Sequence, residues 1–223
     1  MKVDIYFDVV CPWCYIGERR FAQALDALGV SADDVEVEFR PFQLDPAAPE
    51  QAVPIAQYLE RRFGAASSAM QDRVGKVAAD EGITIDWSHA QMANTLNAHR
   101  LLRLAQDEYD ADVQRALVEA LFRAHFTDGV DVGDVAQLAA IAGSVGMDAT
   151  RAAAWLSSAA GDAEVRASIR EAQRIGVQSV PTFVFDGRYA VQGAQPAEAF
   201  VEVMNEVRRL GEEAAAGAGT TEG

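Results

Sequence analysis

Sulfur, histidine and positive charge are scarce in this chain of 223 residues. Three histidines, two cysteines and 19 Lys and Arg stand against 34 Asp and Glu, for a formal net charge of −15. A surface of that sign repels a phosphate backbone, which excludes general nucleic-acid binding. It is equally unsuited to an anionic membrane surface; the acidity serves solubility instead. Long apolar runs are also missing. No stretch of 18 uncharged apolar residues occurs, so no membrane-spanning helix is expected. The opening, MKVDIYFDVVCPW, does not read as a secretory leader, because Asp4 and Asp8 break an apolar stretch that would have to run about 7–15 residues. Together these absences predict a cytoplasmic protein. With 50% hydrophobic residues, the chain still has ample material for a core.

Both cysteines lie in one tetrapeptide, Cys11-Pro12-Trp13-Cys14. Structural disulfides are rare in a reducing cytosol, and a bond across two residues closes too short a loop to stabilise much. A closed metal site needs about four ligands. His89, His99 and His125 are scattered over predicted helices, with no second CxxC or HxxxH, so no metal is expected. Inert packing leaves the placement of the pair unexplained. A redox pair is the favoured reading.

Apolar periodicity supplies the frame. Val3, Ile5, Phe7 and Val9 alternate with polar positions, a strand period. Ile16, Phe21, Leu25 and Leu28 follow at helix spacing, and Gly29 ends that helix. VEVEFRPF alternates again, so residues 3–42 read β-α-β with a parallel pair. Near the other end, VPTFVF and RYAVQG flank the hairpin signal Asp186-Gly187, and a helix carrying Phe200, Val201, Met204, Val207 and Leu210 comes next. Residues 50–174 have a different texture. Helices are predicted at about 52–63, 68–81, 89–107, 111–126, 134–145, 148–158 and 162–175, with Asp148 and Asp162 as caps. The chain therefore reads as an α/β domain, β-α-β … β-β-α, split between residues 1–43 and 176–212. An all-helical insertion, 44–175, forms a lid over the strand ends, and 213–223 is expected to be a disordered tail.

On that frame Cys11 is the N-cap of the first helix and Pro12 its first residue. Unpaired N–H groups and the helix dipole favour a thiolate at Cys11. Cys14, one turn further on and more buried, keeps its proton longer. Such a pair can form and resolve a mixed disulfide. Pro181, at the start of the VPTFVF strand, stands where a ladder donor would be lost inside the strand. Beside a CxxC, a cis-proline facing the thiols is the better reading.

CPWC, the helical insertion and SVPTFVF together resemble the DsbA family of the thioredoxin superfamily. FDVVCPWCYIGERRF, RPFQLDP, NTLNAHRLLRLAQ, LFRAHFTDGVDVGD and VQGAQP narrow the resemblance to its FrnE-like branch, whose relatives include glutathione-dependent 2-hydroxychromene-2-carboxylate isomerases. The resemblance implies a thioredoxin fold and a thiol–disulfide oxidoreductase with Cys11 as nucleophile, Cys14 as resolving thiol and Pro181 as cis-proline. Pro12, Trp13, Val180 and Thr182 would then meet substrate, the Val180 backbone by strand addition. Ser179 departs from an expected glycine. No bound cofactor is implied. The substrate would be a protein or small-molecule thiol or disulfide, with glutathione or a thioredoxin-type reductant as redox partner and a monomer or homodimer as the working unit. The alternative is a glutathione-dependent isomerase or transferase acting on an aromatic small molecule. Uncharged Trp13 would place the reduction potential between those of thioredoxin and DsbA, about −270 and about −120 mV.

Other polar residues read more weakly. Asn97 and Arg100 share a helix face and are candidates for substrate contact, as in the related isomerases. A polar face packed at the domain boundary is the competing reading. Asp4, Asp8 and Glu18 are candidates for proton exchange with Cys14, though such carboxylates are mostly solvated. His125 reads as a helix-end histidine. Gly193-Ala194 reads as the turn into the last helix, where a bound glutathione would reach the backbone.

Overall fold

The computed structural model describes residues 1–30 and 34–218, the last four by backbone alone. Four strands form one mixed sheet in the order β2-β1-β5-β6: β1 (Lys2–Phe7), β2 (Glu36–Pro41), β5 (Thr182–Phe185) and β6 (Tyr189–Gln192). β1 runs parallel to β2 and antiparallel to β5, placing Ile5 between Phe39 and Phe183. The expected β-α-β … β-β-α order is therefore present. β5 and β6 are joined by three residues, 186–188, rather than two, with positive φ at Asp186 and Gly187.

Alternation along β1 decides what each face covers. Val3, Ile5 and Phe7 are 0–2% exposed and join the main core. That core includes α1 (Pro12–Leu28) and α9 (Ala197–Ala218). Phe21, Phe183 and Phe200 interlock there, the last two at 4.6 Å between centroids. Each fully buried Phe contributes about 1.5–3 kcal/mol relative to exposure. Tyr6, on the opposite face, packs with Phe42, Ala172 and Val177 in a second cluster. Ala172 belongs to α8 (Asp162–Arg174), so the insertion does more than cap the strand ends: it also covers the back of the sheet.

The insertion is not purely helical. α2 (Ile55–Phe63), α3 (Ala66–Asp80), α5 (Ala111–Phe126), α6 (Val135–Ser144) and α7 (Ala149–Ser157) lie close to the predicted spans. The helix expected from residue 89 begins only at Leu96, as α4 (Leu96–Glu108). Before it, β4 (Gln91–Met92) pairs antiparallel with β3 (Val53–Pro54). Asn94 explains the delay. Its side-chain amide donates to the Pro46 carbonyl at 3.0 Å and its side-chain oxygen accepts from Leu96 N–H at 3.0 Å, local bonds that compete with a helical turn.

Two further expectations change. Asp148 caps α7, accepting from the Thr150 and Arg151 N–H groups, but Asp162 is the first residue of α8 and Gly161 holds the cap position. Gly161 has φ +74, and a Cβ there would come within 2.7 Å of the Trp155 ring. α9 continues to Ala218, past the expected limit at 212, while residues 219–223 lie outside the described residues. Among the described residues, no helix is long and apolar enough to cross a membrane.

Candidate active site

The turn between β1 and α1 delivers both cysteines. Cys11 N–H donates to the Asp8 carbonyl at 3.0 Å, and Cys11 then caps α1 in extended geometry, with Pro12 opening the helix. Cys11 and Cys14 are 4% and 2% exposed. The Cys11 thiol points at the Val180 carbonyl oxygen, 3.7 Å away, and the Val180–Pro181 peptide bond is cis. The Cys14 thiol is pushed well above its ordinary range, chiefly by burial, then by its hydrogen bond to Cys11 and the nearby negative charges of Cys11 and Asp8. The two sulfurs therefore differ: Cys11 adjoins a cavity at a helix N-terminus, and Cys14 is sealed behind it with its proton held.

Behind the pair lies Asp8, one of the three carboxylates that are candidates for proton exchange with Cys14, and it is buried where most such groups are solvated. Asp8 is 1% exposed. Its carboxylate accepts from Leu44 N–H at 2.8 Å and lies 3.3 Å from His99 Nε2. That same nitrogen is 2.9 Å from the Phe42 carbonyl. Both neighbours only accept, so Nε2 carries the hydrogen and donates to both. Asp4 also has a task, binding Arg40 at 2.9 Å. Glu18 is half-buried, and its carboxyl is pushed up to about 7 by burial and then by Glu119. His125 does end its helix, in the last turn of α5, but it is wholly buried. Among the described residues neither of its ring nitrogens has a hydrogen-bond partner, and burial lowers its pKa to about 4.

In front of Cys11 opens a cavity of about 320 Å³. Pro12, Trp13 and Val180 form one side, and Ile55, Leu59, Phe63, Met70 and Val74 of α2 and α3 form the other. The residues of α2 and α3 were missed as site residues. Their i, i+4 apolar pairs, Leu59 with Phe63 and Met70 with Val74, were visible, but such spacing marks core as readily as cavity wall.

Against this geometry the sequence profile of the DSBA-like thioredoxin domain matches residues 2–205. The chain belongs to that family. A probable DsbA oxidoreductase from Streptomyces coelicolor is 37% identical and superposes with a TM-score of 0.84, over 93% of this chain and 89% of that one. The 2-hydroxychromene-2-carboxylate isomerase of Sphingobium xenophagum is 23% identical over 82% of this chain and 88% of its own length. The cytosolic disulfide reductase DsbM from Pseudomonas aeruginosa, solved with GSH, shares the fold at a TM-score of 0.62 and 16% identity, covering 93% and 100% of the two chains. The protein is thus a member of a family of DsbA-like oxidoreductases.

Within this DsbA-like frame the remaining candidates separate. Thr182 is 2% exposed; its hydroxyl donates to the Ser179 carbonyl at 2.8 Å, which fixes the loop before Val180. It does not line the cavity. Asn97 and Arg100 are engaged within the insertion. Arg100 is 5% exposed and donates to the carbonyls of Trp155, Leu156, Ser158 and Ala160 and to Asn97 Oδ1. Asn97 in turn donates to the Gly133 carbonyl at 3.0 Å. Arg100 closes the C-terminal end of α7, where helical carbonyls lack partners, and neither residue lines the cavity beside Cys11. Gly193 makes the expected turn at φ +80, but its N–H is bonded to the Pro181 carbonyl at 2.8 Å. The Ala194 carbonyl accepts from Arg20 at 2.7 Å.

Proposed function

We propose that the protein is a cytoplasmic thiol–disulfide oxidoreductase that cycles Cys11 and Cys14 between dithiol and disulfide. The observation that carries this reading is the asymmetry of the pair: Cys11 beside a cavity at the start of α1, and Cys14 sealed beneath it and hydrogen-bonded to it. In reduction of a disulfide RSSR′, the Cys11 thiolate attacks one sulfur, Cys11–S–SR forms and R′S⁻ leaves with a proton. Cys14 then loses its proton and attacks Cys11, giving the internal disulfide and RSH. Two electrons pass from the dithiol to the substrate, and oxidation of a dithiol is the same sequence reversed. Asp8, buried and held by His99, is the base that receives the Cys14 proton.

Glutathione or a thioredoxin-type reductant resets the pair; that DsbM is solved with GSH supports the first. The substrate is a protein or small-molecule thiol or disulfide, and a monomer suffices, because both sulfurs, the proline and the cavity come from one chain. A homodimer is the alternative assembly. The likeness to 2-hydroxychromene-2-carboxylate isomerase favours a second reading, a glutathione-dependent isomerase or transferase of an aromatic small molecule.

Equilibration in glutathione redox buffers, followed by alkylation and mass measurement, separates the two. A two-electron transition to an internal disulfide, with a midpoint between those of thioredoxin and DsbA, is the expected outcome. Binding of glutathione with both thiols remaining free would overturn it in favour of the isomerase.

A further inference from the structure

The apolar surface of this acidic protein is unevenly distributed. Among the described residues, four large hydrophobic side chains are exposed: Leu44, Phe63, Met70 and Ile175. Three of them, Leu44, Phe63 and Met70, line the cavity in front of Cys11. Scattered exposed hydrophobics need no explanation, but their concentration around one cavity marks a binding surface. The walls carry one cation and one anion, Arg62 and Asp45, and these are already paired at 3.1 Å, with Tyr58 bonded to both. No charge is left over to receive a charged ligand. At about 320 Å³ the space lies at the lower end of the range for small-molecule sites, about 300–1,000 Å³.

We infer that the cavity takes the body of a small, uncharged thiol or disulfide whose sulfur carries an aromatic or branched aliphatic group. This rests on the redox reading of Cys11 and deepens it. The apolar group fits between Trp13 and the Phe63–Met70 wall, and its sulfur is thereby presented to Cys11. Glutathione, with two carboxylates and an ammonium group, finds no complementary charge on these walls, so as a redox partner it approaches Cys11 from outside the cavity. The size of the space and its neutral, apolar walls favour one compact group over an extended protein segment.

The test uses the reduced full-length protein and two mixed disulfides with a common leaving group, phenethyl 2-pyridyl disulfide and glutathionyl 2-pyridyl disulfide. In each, Cys11 attacks the sulfur of the variable group, Cys11–S–SR forms, and pyridine-2-thione departs and is followed by its absorbance. Rates are normalised to those of a simple thiolate, which removes intrinsic reactivity. The expected result is a preference of at least about tenfold for the phenethyl compound, within the range by which apolar pockets discriminate. Phe63→Ser with Met70→Ser should bring that preference close to unity. Phe63 and Met70 are exposed, so the double variant should keep its core; an unchanged urea midpoint separates loss of the wall from unfolding, which would also erase the preference. Equal normalised rates in the wild type, or a preference untouched by the double variant, would overturn the cavity assignment and leave the redox reading standing. A faster reaction with the mixed disulfide of an extended apolar peptide would overturn the small-molecule assignment. Failure of Cys11 to react with any of these would overturn both.

Discussion

The Asp8 carboxylate and the His99 imidazole meet at 3.3 Å, with each side chain 1% exposed. Asp8 directly follows the first strand of the sheet and His99 belongs to α4 of the insertion, so this contact joins the two parts of the fold behind the cysteines. His99→Leu leaves the carboxylate buried without its side-chain donor. The expected loss of stability is about 3–5 kcal/mol, read from urea unfolding. In the double variant Asp8→Leu, His99→Leu the loss should fall well short of the sum of the single losses. Additive losses would show that the two side chains do not act as a unit.

His125 makes stability depend on pH. Burial lowers its pKa from 6.5 to about 4, so the folded state keeps it neutral where the unfolded chain binds a proton. Its contribution is fully present above about 6.5 and is lost as pH falls towards about 4. Between about pH 7 and about pH 5 it should remove about 2 kcal/mol. Urea unfolding at the two pH values should therefore show a smaller difference in His125→Leu than in the wild type. An unchanged difference would mean that the imidazole reaches a proton acceptor in solution.

Glu18 works in the opposite direction. Burial and Glu119 push its carboxyl from 4.5 up to about 7, so the folded state holds the proton more tightly than the unfolded chain. Protonation favours folding as pH falls from about 7 to about 4.5, and that advantage is lost as pH rises through about 7. Glu18→Gln should accordingly raise the urea midpoint at about pH 8 and change it little at about pH 5. A midpoint lowered at about pH 8 would show instead that the ionised carboxylate is well solvated or well paired.

Gly17 marks where α1 meets the loop that faces the thiols. A Cβ on Gly17 would come within 3.0 Å of Pro181 Cγ and 3.4 Å of Ala194 Cα. Gly17→Ala gains about 1 kcal/mol of helix propensity and loses about 1–3 kcal/mol to overpacking. The expected net effect is a modest loss of stability, with a changed rate of Cys11 alkylation because Val180, its neighbour, precedes Pro181. A stabilised variant with unaltered Cys11 reactivity would show that the loop yields at no cost.

Local chemistry made much of this protein legible. A period of two in VDIYF and VEVEF, a period near 3.6 after CPWC, Gly29 at a helix end and Pro12 at a helix start are short-range signals that neighbouring residues enforce. They placed Cys11 as a helix cap before any tertiary contact was known. What local pattern could not supply was burial and partnership. Asp8 sits at a polar position of an alternating strand, and only the arrival of Leu44 N–H and His99 from 36 and 91 residues away encloses it. Arg100 lies on a helix face that reads as polar, yet it is spent on carbonyls 55–60 residues downstream. The apolar i, i+4 pairs of α2 and α3 are the same in sequence whether they enter the core or stop short of it. Only the packing of the insertion against the CPWC turn leaves Phe63 and Met70 uncovered beside Cys11, because exposure is set by how much neighbouring structure arrives, which no local period encodes.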